Sequence, residues 1–171
     1  MTLNVIFEGN DGTGKSTLIK EVIASMPPGH RVIHSEGPEK YDGEIDTRIH
    51  AYHNRHAGQG VIFDRHPAVS EMIYSEIRIG APGPSLASIN LFYNESNLFI
   101  YCRPNPSRGH PMDSHVREEG ESDNHIQQVR DNYNRLLELY DDWALNYANV
   151  IYRIGDSKDR ICKIVQNTLR R

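Results

Sequence analysis

The sequence predicts an α/β fold in which a parallel sheet of five strands is flanked by helices. Two observations carry this. Short apolar, β-branched runs alternate with longer amphipathic stretches along the 171 residues, the pattern of successive βαβ units. The first of these runs passes directly into a glycine-rich turn and then a helix signal, which is how a parallel sheet presents a ligand-binding turn.

The elements follow in order. Leu3 to Phe7 is a first apolar strand, and Lys15 to Met26 a helix stopped by Pro27-Pro28-Gly29. Arg31 to Ser35 reads as the second strand, roughly Gly43 to His56 as a helix, and Val61 to Asp64 as the third strand. Helices over Ala68 to Ile79 and Leu86 to Tyr93 precede the fourth strand, Asn97 to Arg103. The strands are short and bounded by Gly, Pro, Asn or Asp. Asp123 to Tyr147 is the best-supported helix, because Ile126, Val129, Tyr133, Leu136, Leu137 and Tyr140 recur at three and four residues. Val150 to Ile154 completes the strands and Ser157 to Leu169 the helices. Pro104 to Ser122 fits neither period, and at about 19 residues it exceeds the roughly 12 to 15 beyond which a connection is usually functional or disordered.

Composition bounds the function. At 37% hydrophobic residues with no compositional break, residues 1–171 form one domain with one sizeable core. The net charge of −4 disfavours a polynucleotide partner, which would call for a basic footprint. The start MTLNVIF lacks a basic n-region and a cleavage site, and no apolar run is long enough to span a bilayer. Cys102 and Cys162 form no disulfide or zinc framework and read as reduced thiols, so a cytoplasmic protein is expected. His50, His53 and His56, with His66, His110 and His115, read as solvated helix and loop residues. Trp143 and the tyrosines of the long helix read as core or interface.

The chemistry begins at Gly9-Asn10-Asp11-Gly12-Thr13-Gly14-Lys15-Ser16, a G-x4-G-K-[ST] motif with a strand before it and a helix after it. Its glycines let backbone N–H groups converge on phosphates at a helix N-terminus. Lys15 is suited to the β- and γ-phosphates of ATP, and the Ser16 hydroxyl to Mg²⁺; Thr17 continues the cradle. The third strand ends in VIFDRHP, delivering Asp64 and Arg65 to the same sheet edge. Asp64 can hold Mg²⁺ through water, and Arg65 can take a second phosphate bidentately. Two anion-binding devices on neighbouring strand ends imply a donor and an acceptor face to face, the arrangement of a kinase for small phosphorylated molecules. The N-K-x-D tetrapeptide of a guanine-reading GTPase does not occur.

FEGNDGTGKST (residues 7 to 17), DRH (64 to 66) with Ser70 and Tyr74, and the arginine-bearing loop after the fourth strand resemble the thymidylate kinase family of P-loop nucleoside and nucleotide kinases. The resemblance implies a three-layer αβα sandwich of the P-loop NTPase class with strand order 2-3-1-4-5, ATP as donor, and a deoxynucleoside monophosphate, dTMP or a relative, as acceptor. It also implies a homodimer. Asp11 would approach the acceptor sugar and Arg65 its phosphate. Thr13 stands where some members carry a basic residue, so an arginine of the lid, about 104–122, or at its start would supply that charge: Arg103 or Arg108, with Arg117 a third candidate. Arg48, Tyr52 and Arg55 are candidates to read the base, on a shorter segment than is usual in the family. Glu36 organises the acceptor pocket in this reading. In the alternative reading, a deoxynucleoside kinase attacking with a 5′-hydroxyl, Glu36 would be the general base. A non-catalytic nucleotide binder and a kinase acting on bases in DNA are further alternatives.

Overall fold

In the computed structural model, residues 3–35, 37, 40–78, 80–114 and 122–170 are described. Five parallel strands, β1 (Asn4–Glu8), β2 (Val32–His34), β3 (Ile62–Asp64), β4 (Asn97–Arg103) and β5 (Val150–Arg153), pair in the order β2-β3-β1-β4-β5. The helices are α1 (Lys15–Ala24), α2 (Glu44–His56), α3 (Pro67–Ser75), α4 (Leu86–Tyr93), α5 (Asp123–Asp131), α6 (Tyr133–Tyr147) and α7 (Lys158–Leu169).

Helices cover both faces of the sheet, so the central strand β1 is buried along its whole length. Side chains alternate across it. Val5 and Phe7 join Leu18 and Val22 of α1 and Ile161 and Val165 of α7 on one face. Ile6 lies on the other, with Ile45 and Ile49 of α2, Val69 and Tyr74 of α3, and Leu136, Tyr140 and Trp143 of α6. Because all crossovers are parallel, the C-terminal ends of the strands share one edge. Phe7 lies opposite Asp64 and Ile100, and Glu8 opposite Tyr101.

Several expectations require correction. The helix expected over 123–147 is two, broken at Asn132, whose φ of −107° and ψ of 16° leave the helical range. Its amide donates to the Gln128 carbonyl at 2.9 Å, a side-chain bond that competes with the helical ladder and that apolar spacing does not register. The helix expected to start at Ala68 begins at Pro67 instead, with Pro at its first position and His66 Nδ1 accepting the Ala68 N–H at 3.2 Å. It ends at Ser75 rather than Ile79, and Ser75 Oγ turns back to the Met72 carbonyl. The described part of the expected loop, 104–114, is not structureless: Pro106–Arg108 and Pro111–Ser114 each form a 3₁₀ turn. His56 and His66 are buried, not solvated; His66 stacks on Phe92 with ring centroids 4.1 Å apart. Burial drives the His66 ring down to a pKa of about 3, so it is a neutral member of the core.

Candidate functional site

The phosphate-binding loop joins β1 to α1. Gly14 caps α1 at φ 75°, and Lys15 and Ser16 open its first turn, where the backbone N–H groups have no helical partners. Gly12 needs its missing side chain: φ is 72°, and a Cβ there would lie 2.4 Å from the Pro111 carbonyl oxygen. The second 3₁₀ turn thus rests directly on the loop. Lys15 Nζ folds back to donate to the carbonyls of Gly9 at 2.9 Å and Asn10 at 2.7 Å. Thr13 Oγ1 donates to Asn10 O at 2.9 Å and is buried, whereas Ser16 and Thr17 face solvent. Burial, reinforced by the Arg65 charge, lowers the Lys15 pKa.

At the end of β3, the Asp64 carboxylate accepts from Ser16 Oγ at 3.4 Å and stands 3.2 Å from His34 Nδ1. A hydroxyl and a carboxylate facing each other beside the phosphate loop are the hard oxygen donors that Mg²⁺ takes. The residues present therefore fit that ion.

Arg65 follows at φ 66°, the left-handed region that a non-glycine residue enters rarely. Its guanidinium donates to Asp11, and Asp11 also accepts from the Tyr74 hydroxyl at 3.0 Å. The guanidinium carbon lies 5.3 Å from the centre of the Tyr74 ring. Burial alone would raise the Asp11 pKa, but the Arg65 and Lys15 charges and the hydrogen bonds from Arg65 and Tyr74 prevail and hold it well below the carboxylate range. Asp11 is therefore ionised, and Arg65 is a fixed cation.

Sequence reasoning left out several residues that complete this cluster. Glu8 is fully buried, accepting the His66 N–H at 2.6 Å and the Tyr140 hydroxyl at 3.2 Å, and burial raises its pKa to about 7. The Tyr133 hydroxyl, just after the break between α5 and α6, donates to the Asp11 carbonyl at 3.3 Å. Glu8 was findable as the one charged residue at the end of an otherwise apolar strand. Tyr133 and Tyr140 carried only the signal of a buried helix face.

The remaining expected residues separate. Arg108 lines a 420 Å³ cavity with Gly12, Asn105, Gly109, Pro111 and Ile154, beside the phosphate loop. Asn105 closes one wall by donating to the Ile154 carbonyl at 2.7 Å. Arg103 is committed elsewhere: Nε and Nη2 each donate to the Asp141 carboxylate at 2.9 Å. Ser70 is buried in α3, and its hydroxyl donates to the His66 carbonyl at 3.1 Å. Tyr52 packs on Phe63 and His66 with centroids 5.5 and 5.6 Å away. Arg48 is buried beneath Gly37, whose carbonyl accepts from Nη1 at 2.7 Å. Arg55 is exposed on the last turn of α2. Glu36 and Arg117 lie outside the described residues.

The sequence matches no protein-family model and no curated protein. Solved structures do resemble the chain. The YorR protein from Bacillus subtilis, solved in complex with phosphorylated GDP, superposes with a TM-score of 0.71 at 18% identity, over 97% of this chain and 95% of that one. Deoxyadenosine kinase from M. mycoides with bound dATP superposes at 0.54 and 15% identity, over 99% and 100% of the two chains. The same enzyme with products dCMP and a flexible dCDP gives 0.51 at 13%, over 98% of both. These likenesses, with the strand order, establish the fold as the P-loop αβα sandwich found in such kinases. Among the described residues, no helix is long and apolar enough to cross a membrane.

Proposed function

We propose that this protein is a P-loop kinase that moves the γ-phosphoryl group of ATP to a deoxynucleoside monophosphate, dTMP or a relative, giving the diphosphate. The observation that carries the reading is the position of Arg65: a cation fixed at the strand edge by Asp11, one strand from Lys15 and next to Asp64. A second anion site facing the phosphate loop is what a phosphorylated acceptor requires, and binding of ATP alone leaves it without a role.

In this mechanism the loop amides and Lys15 hold the donor phosphates, with Lys15 Nζ exchanging the Gly9 and Asn10 carbonyls for phosphate oxygens. Mg²⁺, held by Ser16 and through water by Asp64, would neutralise charge on those phosphates. Arg65 binds the acceptor phosphate with the donors that Asp11 does not use, and Asp11 faces the acceptor sugar. An acceptor phosphate oxygen is already anionic, so its attack on the γ-phosphorus, with ADP leaving, needs no general base. Of the two described candidates, Arg108 is the better placed to meet charge on the migrating group, because it lines the cavity beside Gly12 while Arg103 is held by Asp141.

A second reading, transfer to a nucleoside 5′-hydroxyl with Glu36 as base, draws on the likeness to a deoxyadenosine kinase. Incubation with ATP and Mg²⁺ against deoxynucleosides and their monophosphates, with products resolved by anion exchange, separates the two. Diphosphate formation from a monophosphate is expected. Products from nucleosides only would transfer the case to the second reading, and acceptor-independent silence would refute both.

A further inference from the structure

The left-handed backbone at Arg65 has to be held in place, and two hydrogen bonds at the β1 end hold it. The Arg65 N–H donates to the Phe7 carbonyl at 2.9 Å, and the next N–H, that of His66, donates to Glu8 Oε1 at 2.6 Å. Strand alternation puts Glu8 on the same face as Ile6, toward α6, where its second oxygen accepts from Tyr140 at 3.2 Å. A carboxyl with no exposed surface is a costly choice where a leucine would fill the space, so what its oxygens hold is informative.

We infer that Glu8 is a positioning residue for the acceptor side: it pins the His66 N–H so that the chain turns at Arg65 and directs the guanidinium to Asp11, and it ties this elbow to α6 through Tyr140. The inference rests on the acceptor role proposed for Arg65. It does not depend on the charge of Glu8. Whether ionised or protonated, the group keeps an oxygen to accept the His66 N–H, and glutamine keeps one as well.

The test compares wild type, Glu8→Gln, Glu8→Leu and Tyr140→Phe. Two readouts are taken. Amide hydrogen exchange at Arg65 and His66 needs no substrate: Glu8→Leu is expected to lower His66 protection about tenfold or more while Ile62 in β3 stays within about twofold, and Glu8→Gln to keep it. Steady-state kinetics should show the acceptor KM of Glu8→Leu raised about tenfold, with the KM for ATP within about twofold and Glu8→Gln close to wild type. Equal His66 protection in folded Glu8→Leu and wild type would overturn the inference, as would KM values for ATP and acceptor that rise together. If Glu8→Leu does not fold, Tyr140→Phe carries the test, with acceptor KM expected to rise about threefold and an unchanged value counting against the link to α6. A wild type without acceptor-dependent turnover would sink the functional proposal, while the exchange result would still decide the role of Glu8.

Discussion

Lys15 shows what a single residue contributes and how far sequence alone could reach. Its ammonium is buried and held by the carbonyls of Gly9 and Asn10, contacts that the proposed mechanism exchanges for phosphate oxygens. Lys15→Ala should abolish phosphoryl transfer and leave the far-UV circular dichroism spectrum unchanged; transfer at the wild-type rate would remove Lys15 from the mechanism. Lys15 and Ser16 were readable because a contiguous motif fixes their relation in the chain itself, and Asp64 because it ends an apolar strand. The Asp11 pairing with Arg65 spans 54 residues and the Glu8 contact with Tyr140 spans 132, so these depend on how elements pack. Arg103 illustrates the opposite case: its place at a strand end suggested a lid role, and only the packing of α6 reveals Asp141 as its partner.

At the scale of elements, the 3₁₀ turn at Pro111–Ser114 and the phosphate loop are built against each other. Met112 is buried with the core, and Arg130 of α5 donates to its carbonyl at 3.3 Å and to Asp113 at 3.2 Å. Gly12→Ala would set a methyl group against the Pro111 carbonyl in a backbone region that alanine avoids. We expect a loss of about 1 to 3 kcal/mol in urea unfolding together with weaker ATP binding, and an unchanged midpoint would show that the turn yields easily. Strand positions were predicted within one residue at each end, since each is a short apolar, β-branched run bounded by turn residues. The C-terminal ends of α1 and α3 and the break at Asn132 were not, because local side-chain hydrogen bonds set them.

Across the whole molecule, the strand order puts two acids and two bases into one cluster at the sheet edge, with Glu8, Asp11 and Lys15 buried and Arg65 half-buried. Stability should carry its signature. Burial raises the Glu8 pKa from 4.5 to about 7, so between those values the folded protein keeps a proton that the unfolded chain releases. Stability from this group therefore falls as pH rises through that window, by on the order of 3 kcal/mol. Asp11 acts in the opposite sense, its contribution being lost only as the solution becomes strongly acidic. Melting temperatures from pH 5 to 8 should show wild type losing ground to Glu8→Gln as pH rises toward 7, and parallel curves would deny the buried proton.

In the proposed reaction two anion sites face each other across this edge, one for the donor and one, at Arg65, for a phosphorylated acceptor. The most direct test is the acceptor KM of Arg65→Ala at saturating ATP, measured with whichever monophosphate the wild type turns over. An acceptor KM raised about tenfold or more with a lower kcat is expected, while the KM for ATP stays within about twofold. An Arg65→Ala enzyme with the wild-type dependence on acceptor would contradict the proposed reaction.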